Sequence, residues 1–320
     1  MSLVALLLGV LLLVVIARVV QKTRAARALV ESPPAAPAAL PTVVDVARPF
    51  KLVKARHGWM LVNTNDFYLG QAILRYGECC ELEVALLLQL IALRAGDVVE
   101  IGANIGTHTV PLATALAAQG RRLTVFEPQP VIFQNLCANI AVNGLTNVVA
   151  WPSACSNAAG TLYFSWPDYS SGGNFGAVTM SEAPITDGYA VPCVRVDSVL
   201  PQKSVCLLKL DVEGFELQVL QGAEDVIDHC RPILYVENDR VEKSEALIEW
   251  LWSKQYHLWW HVAPLFSADN FFANQDNCYG NTVALNMLCV PRESDIPVNG
   301  LIEVLVNRHP LERPTAPPAA

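Results

Sequence analysis

The sequence predicts an α/β protein with a doubly wound parallel sheet. From Asp97 onward, short apolar runs rich in β-branched residues alternate with amphipathic stretches long enough to form helices. Repeated strand–helix units of this length are typical of a parallel sheet that carries helices on both faces. Ligands of such sheets bind beyond the carboxyl ends of the strands, and the polar signals of this chain fall at those ends.

The predicted elements follow one another in a regular order. Strands are expected at Asp97–Ile101, Arg122–Glu127, Asn147–Trp151, Gly160–Ser165, Val205–Leu210, Ile233–Glu237, His257–Trp260 and Thr282–Val290. Helices are expected from the turn after Ile101 to about Gln119, over Val131–Val142, from Phe215 onward, and from about Ser244 to Lys254.

Composition and charge limit the classes of protein to which this chain can belong. Its 320 residues are 52% hydrophobic and 16% charged, with a formal net charge of −8. Because the chain lacks a long basic run that would neutralise phosphates, we expect no nucleic-acid partner. The nine cysteines form no CxxC pair, which indicates buried thiols in a reducing compartment and argues against a zinc site built from cysteines.

The first twenty residues are typical of a membrane anchor. The run from Leu3 to Ala17 is wholly apolar, and eighteen helical residues would cover about 27 Å, close to the thickness of a hydrocarbon core. Positive charges follow the run, from Arg18 to Arg27. This order favours a retained single-pass anchor in a bacterial-type inner membrane, with the main domain on the cytoplasmic side. A signal peptide and a mis-assigned start are the alternatives.

The chain is therefore expected to have five parts. They are the transmembrane anchor at 1–20, a basic and then Pro/Ala-rich tether at 21–45, an N-terminal accessory segment at 46–96, the main domain at 97–295 and a C-terminal tail at 296–320.

A glycine-rich turn follows the first strand of the predicted sheet. The sequence Glu100-Ile101-Gly102-Ala103-Asn104-Ile105-Gly106 places an acid at the strand end and opens a helix. Glycines let the backbone approach a ligand, as in the dinucleotide fingerprint, which puts pyrophosphate on a helix N-terminus. A carboxylate repels pyrophosphate, whereas S-adenosylmethionine (SAM) has an ammonium group, a sulfonium and no phosphate. The turn therefore favours SAM, with a purely structural turn as the alternative.

An acid also ends the second strand of the predicted sheet. Glu127 stands where ribose hydroxyls are bound in nucleotide-binding and SAM-binding sheets alike. It does not separate those two classes of ligand, but it supports an adenosine ligand. A solvated strand-end acid is the alternative.

Two later strands end in a cluster of acids and amides. Asp211 and Glu213 emerge where the strand Val205–Leu210 stops, and Glu237 and Asn238 end the following strand. Asp211 with Glu237 or Asn238 could hold a substrate hydroxyl, act as a base or bind Mg²⁺ through oxygen ligands. Because this ligand set is incomplete, no metal site is assigned.

Taken together, the strand-end motifs resemble the FkbM family of SAM-dependent methyltransferases. The matching stretches are "DVVEIGANIGTHTVPLA", "FEPQPVIFQNLCANIAVNGLTNV", "LLKLDVEGFELQVLQGA" and "RPILYVEND", within about Asn65 to Arg292. The resemblance implies a class I methyltransferase fold, a Rossmann-like sheet of seven strands whose last strand is antiparallel, and a SAM-dependent methyltransferase domain at 97–295. Many members are assigned as O-methyltransferases. The generic class I pattern has a glycine where Asn104 stands, but the "GANIG" form accommodates asparagine.

The same resemblance implies roles for individual residues. The residues expected at the methionine end of SAM are Glu100, Gly102, Asn104 and Gly106. Glu127 would bind ribose, and Ser153 and Ala154 would lie near adenine. Tyr76 and Glu78 would close the cofactor site from the N-terminal side.

Two histidines are further candidates. His261 follows Trp259-Trp260 at a strand end, where it either faces substrate or is a buried or edge residue. His108 lies two residues into the first helix after the glycine turn, either beside the cofactor or on the helix surface.

We therefore expect a SAM-dependent methyltransferase that acts on a hydroxyl of a small-molecule or glycan acceptor. The enzyme must align the acceptor with the methyl group, and Asp211, with His261 and Glu237 behind it, is expected to orient or accept the proton. One alternative is an NAD-dependent oxidoreductase or epimerase, which Glu100 and the missing third glycine of the dinucleotide fingerprint disfavour. The other is a non-catalytic, membrane-anchored SAM-binding scaffold, which the strand-end acids disfavour.

Overall fold

The structure is a computed structural model that describes residues 43–200 and 204–312. The anchor predicted for residues 1–20 and the tether through residue 42 lie outside the described residues. Among the described residues, no helix combines the length and the apolar character that crossing a bilayer requires.

The described chain alternates strands and helices from residue 97 onward, as the sequence predicts. The strands are β1 Val43–Asp45, β2 Phe50–Ala55, β3 Gly58–Asn63, β4 Asp97–Ile101, β5 Leu123–Phe126, β6 Val148–Trp151, β7 Ala154–Cys155, β8 Gly160–Ser165, β9 Gly188–Val194, β10 Val205–Leu210, β11 Ile233–Glu237, β12 Tyr256–Pro264, β13 Val283–Pro291 and β14 Ile302–Glu303. The helices are α1 Leu69–Tyr76, α2 Glu81–Leu93, α3 Thr109–Ala117, α4 Pro130–Val142, α5 Val196–Val199, α6 Glu216–Gly222, α7 Glu224–Cys230 and α8 Val241–Ser253.

The central sheet is mixed, with the strand order β14-β12-β13-β11-β10-β4-β5-β6. The pairs β11–β10, β10–β4, β4–β5 and β5–β6 are parallel, and β13 runs antiparallel between β11 and β12. The predicted antiparallel strand is therefore confirmed. The sheet has one strand more than the predicted seven, because the two-residue β14 pairs with the edge of β12. A two-residue strand is too short to leave a periodic pattern in the sequence.

Two smaller antiparallel or mixed sheets flank the central one. The strands β1, β2 and β3 form a sheet before the main domain, and β7, β9 and β8 form another. The predicted strand Gly160–Ser165 is confirmed as β8, although it pairs with β9 instead of joining the central sheet. The sequence analysis missed β9, whose Pro192 interrupts an otherwise strand-like run.

The core lies on both faces of the central sheet. Neighbouring residues of β4 point to opposite faces, so Val99 and Ile101 pack with the helices α6, α7 and α8, whereas Val98 packs with α2, α3 and α4. Full burial of an aliphatic side chain stabilises a fold by about 1.5–3 kcal/mol relative to exposure. The two apolar layers hold the strand ends rigidly at one edge, where the polar residues of the site emerge.

Two asparagines, one in helix α4 and one directly after it, connect the N-terminal hairpin to α4 and the glycine turn. The Asn139 side chain accepts a hydrogen bond from the Leu61 amide (2.6 Å) and donates to the carbonyls of Leu61 (3.1 Å) and Ile105 (2.8 Å). One turn later, Asn143 pairs in the same way with the amide and carbonyl of Trp59 at 2.8 and 2.7 Å. The accessory segment is therefore part of the framework that shapes the turn.

The described part of the predicted C-terminal tail packs on the sheet. Val304 is buried, and its amide donates to the Leu258 carbonyl at 2.8 Å. His309 is also buried, and its Nε2 lies 2.9 Å from the Asn238 carbonyl, beside the end of β11.

Candidate active site

The glycine turn brings the ends of β4 and β10 into direct contact. Gly102 has φ of 80°, and a Cβ atom at this position would overlap the carbonyl oxygen of Asp211. The Asp211 amide in turn donates to the Ile101 carbonyl at 3.0 Å. Only glycine lets the two strand ends approach this closely, so the turn places Asp211 at the centre of the strand-end region.

Glu127 holds the glycine turn in place from the end of β5. Its Oε2 accepts a hydrogen bond from the Asn104 amide (3.0 Å), and its Oε1 accepts one from the Gln129 amide (2.9 Å). Burial raises the pKa of Glu127 to about 7, although these two amides oppose the shift. A carboxylate has about four lone-pair sites, so Glu127 retains acceptor capacity for a ligand.

An apolar cavity of about 490 Å³ lies beside Glu127. Its walls include the side chains of Phe126, Leu162 and Met180, and the predicted adenine neighbours Ser153 and Ala154 also line it. Ser153 Oγ is buried and has no hydrogen-bond partner among the described residues. We call this space the first cavity. A flat apolar space with one free hydroxyl suits an aromatic ring that carries polar edges.

A second, polar cavity of about 890 Å³ adjoins the first. The two share five lining residues, which are Gly102, Glu127, Gly176, Asp211 and Glu213. Further polar residues that line the second cavity are Cys80, Glu83, Asn104, His108, Asn174, Lys209, Glu237 and Asn286. Asp211 lines both cavities and stands where the two meet.

Three carboxylates from β11 and the loop after β10 gather at the second cavity. One oxygen each of Asp211, Glu213 and Glu237 lie within 4.8 Å of one another. Burial, followed by the charge of Asp211, raises the pKa of Glu213 to about 7 despite its ion pair with Arg240. The same two causes raise the pKa of Glu237 well above its ordinary value, and its Oε2 has no hydrogen-bond partner in the described structure.

The sequence predicted that Asp211 would lie with Glu237 or Asn238. In the structure Asp211 lies with Glu237 and Glu213. Asn238 Nδ2 donates to Ser244 Oγ at 2.9 Å, so its amide is engaged in the interior, and Glu213 takes its place in the cluster. Three carboxylate oxygens are of the ligand type that Mg²⁺ takes, but the sequence assigns no metal to this cluster.

Lys209 is a site residue that the sequence analysis did not assign. It is 1% exposed, and its Nζ lies 3.5 Å from Asp211 Oδ2 and 3.8 Å from Glu100 Oε1. Burial lowers the pKa of Lys209, but the negative charges of Asp211 and Glu100 outweigh it, so the pKa lies above the ordinary value. A single lysine within an otherwise apolar buried strand was the signal for it.

Glu100 lies beneath the turn. It is fully buried, and its Oε2 accepts a hydrogen bond from Thr109 Oγ1 at 2.6 Å. It is not among the residues that line the two cavities, but its Oε1 lies 3.8 Å from the Nζ of Lys209, which lines the second cavity. Direct contact between Glu100 and SAM stays a prediction. Gly102 and Asn104 do line the second cavity, while Gly106 packs its backbone close to Leu136.

The two predicted histidines occupy different environments. His261 Nδ1 lies 2.8 Å from the Tyr235 hydroxyl, and burial lowers the pKa of the imidazole. It is not among the lining residues of either cavity, so its catalytic role stays a prediction. His108 is 5% exposed and lines the second cavity. The helix-surface interpretation of His108 is therefore wrong.

Glu78 and Tyr76 lie in the segment before the main domain and form hydrogen bonds with the loop at 270–281. Glu78 pairs with Arg56 at 2.7 Å and accepts a hydrogen bond from the Phe271 amide at 2.7 Å. The Tyr76 hydroxyl donates to the Asp276 carbonyl at 2.7 Å. Both residues therefore tie the loop at 270–281 to helix α1, outside the two cavities, and contact between Glu78 and SAM stays a prediction.

Comparison with known proteins matches part of the chain to a family. Residues 100–258 match the family described as "Methyltransferase FkbM domain". The methyltransferase sdnD of Sordaria araneosa is 28% identical over 188 residues, which are 48% of this chain and 71% of that protein.

Solved structures also match, at low identity. The FkbM methyltransferase of Methylobacillus flagellatus KT is 15% identical with a TM-score of 0.41, over 61% of this chain and 43% of that one. The chain thus spans less than half of that protein's length. Cofactor-bound Rv0187 from MTB is 14% identical with a TM-score of 0.41, over 67% of this chain and 81% of that one. The family assignment rests on the domain match and on the curated relative.

The part of the chain that matches the family contains the main residues of the candidate active site. The matched residues include the glycine turn, Glu127, Asp211 and Glu237, which are the residues that line the two cavities or hold their walls. They favour neither an NAD-dependent oxidoreductase nor a non-catalytic scaffold. Residues 100–258 therefore form an FkbM methyltransferase domain, and the domain match and the curated relative support a SAM-dependent methyltransferase.

Proposed function

We propose that this enzyme transfers the methyl group of SAM to a hydroxyl oxygen of a small-molecule or glycan acceptor. The observation that carries the proposal is the pair of adjoining cavities, one with mainly apolar walls and one with mainly polar walls, which meet at Asp211. SAM occupies the first cavity and the acceptor the second.

The first cavity suits the adenosine part of SAM. Adenine lies against Phe126 and Met180, with Ser153 Oγ free to bond a ring nitrogen or the exocyclic amine. The ribose hydroxyls donate to the remaining lone pairs of Glu127. The sulfonium then lies near Gly102 and Asp211, where nearby carboxylates stabilise its positive charge.

The second cavity suits an acceptor with hydroxyl groups. Its lining offers carboxylate, amide and ammonium groups at several angles, as the recognition of a polyol requires. Methyl transfer breaks the S–CH₃ bond, forms an O–CH₃ bond and releases the hydroxyl proton, which Asp211 accepts. Lys209 Nζ lies 3.5 Å from Asp211 Oδ2 and forms an ion pair with this carboxylate. Glu237, whose pKa burial raises well above its ordinary value, donates a hydrogen bond to the acceptor when it is protonated.

The labelled product of the reaction tests this proposal. The purified chain is incubated with methyl-labelled SAM and fractionated hydroxylated metabolites and glycans, and the labelled products are identified by mass spectrometry. We expect a methyl ether, which withstands mild base, and inhibition by S-adenosylhomocysteine. Label found in a methyl ester or on nitrogen would contradict transfer to a hydroxyl.

SAM affinity is expected to rise with pH through neutrality. The ribose hydroxyls are donors that need the ionised form of Glu127, whose pKa is raised to about 7. The ionised fraction falls from about nine tenths at pH 8 to about one tenth at pH 6, so SAM should bind about tenfold more weakly at pH 6. Isothermal titration calorimetry at the two pH values measures this ratio.

Two variants separate Glu127 from its neighbours in that measurement. Glu127→Gln should weaken SAM binding at pH 8 and flatten the pH profile. Glu213→Gln is the matched control, because Glu213 has a pKa raised to the same value but accepts no hydrogen bond from the glycine turn. If Glu213→Gln flattened the profile and Glu127→Gln did not, the ribose would have to be assigned elsewhere.

A further inference from the structure

We propose that Cys80, Glu83 and His108 form a Zn²⁺ site in the wall of the second cavity. One ligand atom from each residue lies within 4.8 Å of the other two, and all three residues line the cavity. Cys80 immediately precedes α2, Glu83 lies in its first turn, and His108 immediately precedes α3. The packing of α2 against α3 thus brings three metal-binding side chains together from positions far apart in sequence.

His108 supplies an independent observation that points to a bound cation. Its Nε2 lies 3.3 Å from Glu83 Oε2, but this contact lacks hydrogen-bond geometry, and the atom has no hydrogen-bond partner among the described residues. The residue is 5% exposed, and Glu83 is 4% exposed. A buried polar nitrogen without a partner is rare in folded proteins and calls for a ligand or an ion.

The donor types select zinc among the common divalent cations. A thiolate, an imidazole and a carboxylate are the three ligand types that Zn²⁺ takes in proteins, whereas Mg²⁺ and Ca²⁺ take oxygen ligands. Three protein ligands with a fourth, open position are the arrangement of a catalytic zinc site. All three residues line the second cavity, so a fourth ligand could reach the ion from there.

Charge in this region is also compatible with Zn²⁺. A Cys80 thiolate and a Glu83 carboxylate neutralise the two positive charges of the ion, and His108 binds in its neutral form. The nearby ammonium group of Lys209 is already paired with Asp211 and Glu100. With the Cys80 thiol proton released to solvent on binding, the zinc ion and its three ligands therefore carry no net charge together.

Metal binding to the purified full-length chain tests the proposal. The chain is stripped with a chelator, reloaded with ZnSO₄ or CoCl₂, dialysed and analysed by atomic mass spectrometry and absorption spectroscopy. We expect about one equivalent of Zn²⁺ per chain, a thiolate-to-cobalt charge-transfer band in the Co²⁺ form, and a higher melting temperature with zinc. Less than half an equivalent of zinc, or a Co²⁺ form without the band, would overturn the proposal.

Variants assign the ligands and guard against misfolding. Cys80→Ser and His108→Ala should each weaken zinc binding by more than about tenfold in chelator competition, and zinc should no longer raise their melting temperatures. The controls Cys79→Ser, which removes the adjacent thiol, and Glu237→Gln, which alters the carboxylate cluster, should bind zinc as the unmodified chain does. If His108→Ala bound zinc as tightly as the unmodified chain does, and its metal-free melting temperature were also unchanged, the site would be excluded.

Discussion

Asp211→Asn is expected to lower kcat for methyl transfer by about 10²–10⁴-fold, the usual contribution of a general base. Asp211 lines both cavities and is placed there by the contact between its backbone and the glycine turn. The amide keeps the size of the side chain but cannot accept a proton from the acceptor. Because Asp211 also lies near the proposed sulfonium position, the dissociation constant of SAM should rise, but by far less than kcat falls.

Steady-state kinetics and calorimetry on the same preparation measure the two quantities separately. Asp239→Asn is the control, because Asp239 lies at the end of the next strand and lines neither cavity. Its kcat should stay close to that of the unmodified enzyme. If Asp211→Asn lost SAM affinity as strongly as turnover, Asp211 would belong to the cofactor site and the base would have to be sought elsewhere.

Gly102→Ala is expected to destabilise the fold by more than about 4 kcal/mol, or to prevent folding, which places it among the exceptional single substitutions. The added methyl group would overlap the Asp211 carbonyl oxygen, so the ends of β4 and β10 would have to separate. The left-handed backbone at φ of 80° adds a further cost for any side chain. Urea unfolding followed by circular dichroism measures the loss.

A second glycine isolates the backbone cost from the steric one. Gly120 also has a positive φ, 65°, but a Cβ atom there would meet nothing within 4 Å. Gly120→Ala should therefore cost only about 1–2 kcal/mol, the strain of a left-handed residue. Equal losses for the two variants would mean that the contact between Gly102 and Asp211 does not govern the turn.

Much of the fold was predictable because its strands are buried on both faces. Strands such as Val205–Leu210 read as apolar runs, interrupted here only by Lys209, and polar residues stand at the ends of several of them at the same edge of the sheet. The positions of Glu127, Asp211 and Glu237 at the strand ends followed from this arrangement. The strand β9 could not be found in the same way, because Pro192 and exposed residues break its pattern.

Contacts between distant segments were beyond the reach of the sequence pattern. Asn139 of α4 and Asn143, which directly follows α4, hold the hairpin of β2 and β3, about eighty residues away. The sequence does not show which backbone groups an asparagine in or beside a helix will bind. Likewise, Cys80 and Glu83 meet His108 only because α2 packs against α3. The spacing of the cysteines along the sequence does not show this proximity, and it therefore argued against a zinc site. The sequence shows Lys209 as a charged residue within an apolar strand, but it does not show which carboxylates pair with it.

The central claim is that SAM binds with its ribose on Glu127 and its sulfonium beside Asp211. The most direct test is a crystal structure of the enzyme with S-adenosylhomocysteine. We predict that the adenine fills the first cavity beside Ser153, that both ribose hydroxyls donate to Glu127, and that the sulfur faces the second cavity at Asp211. An adenine bound outside the first cavity, or a sulfur directed away from Asp211, would contradict this account.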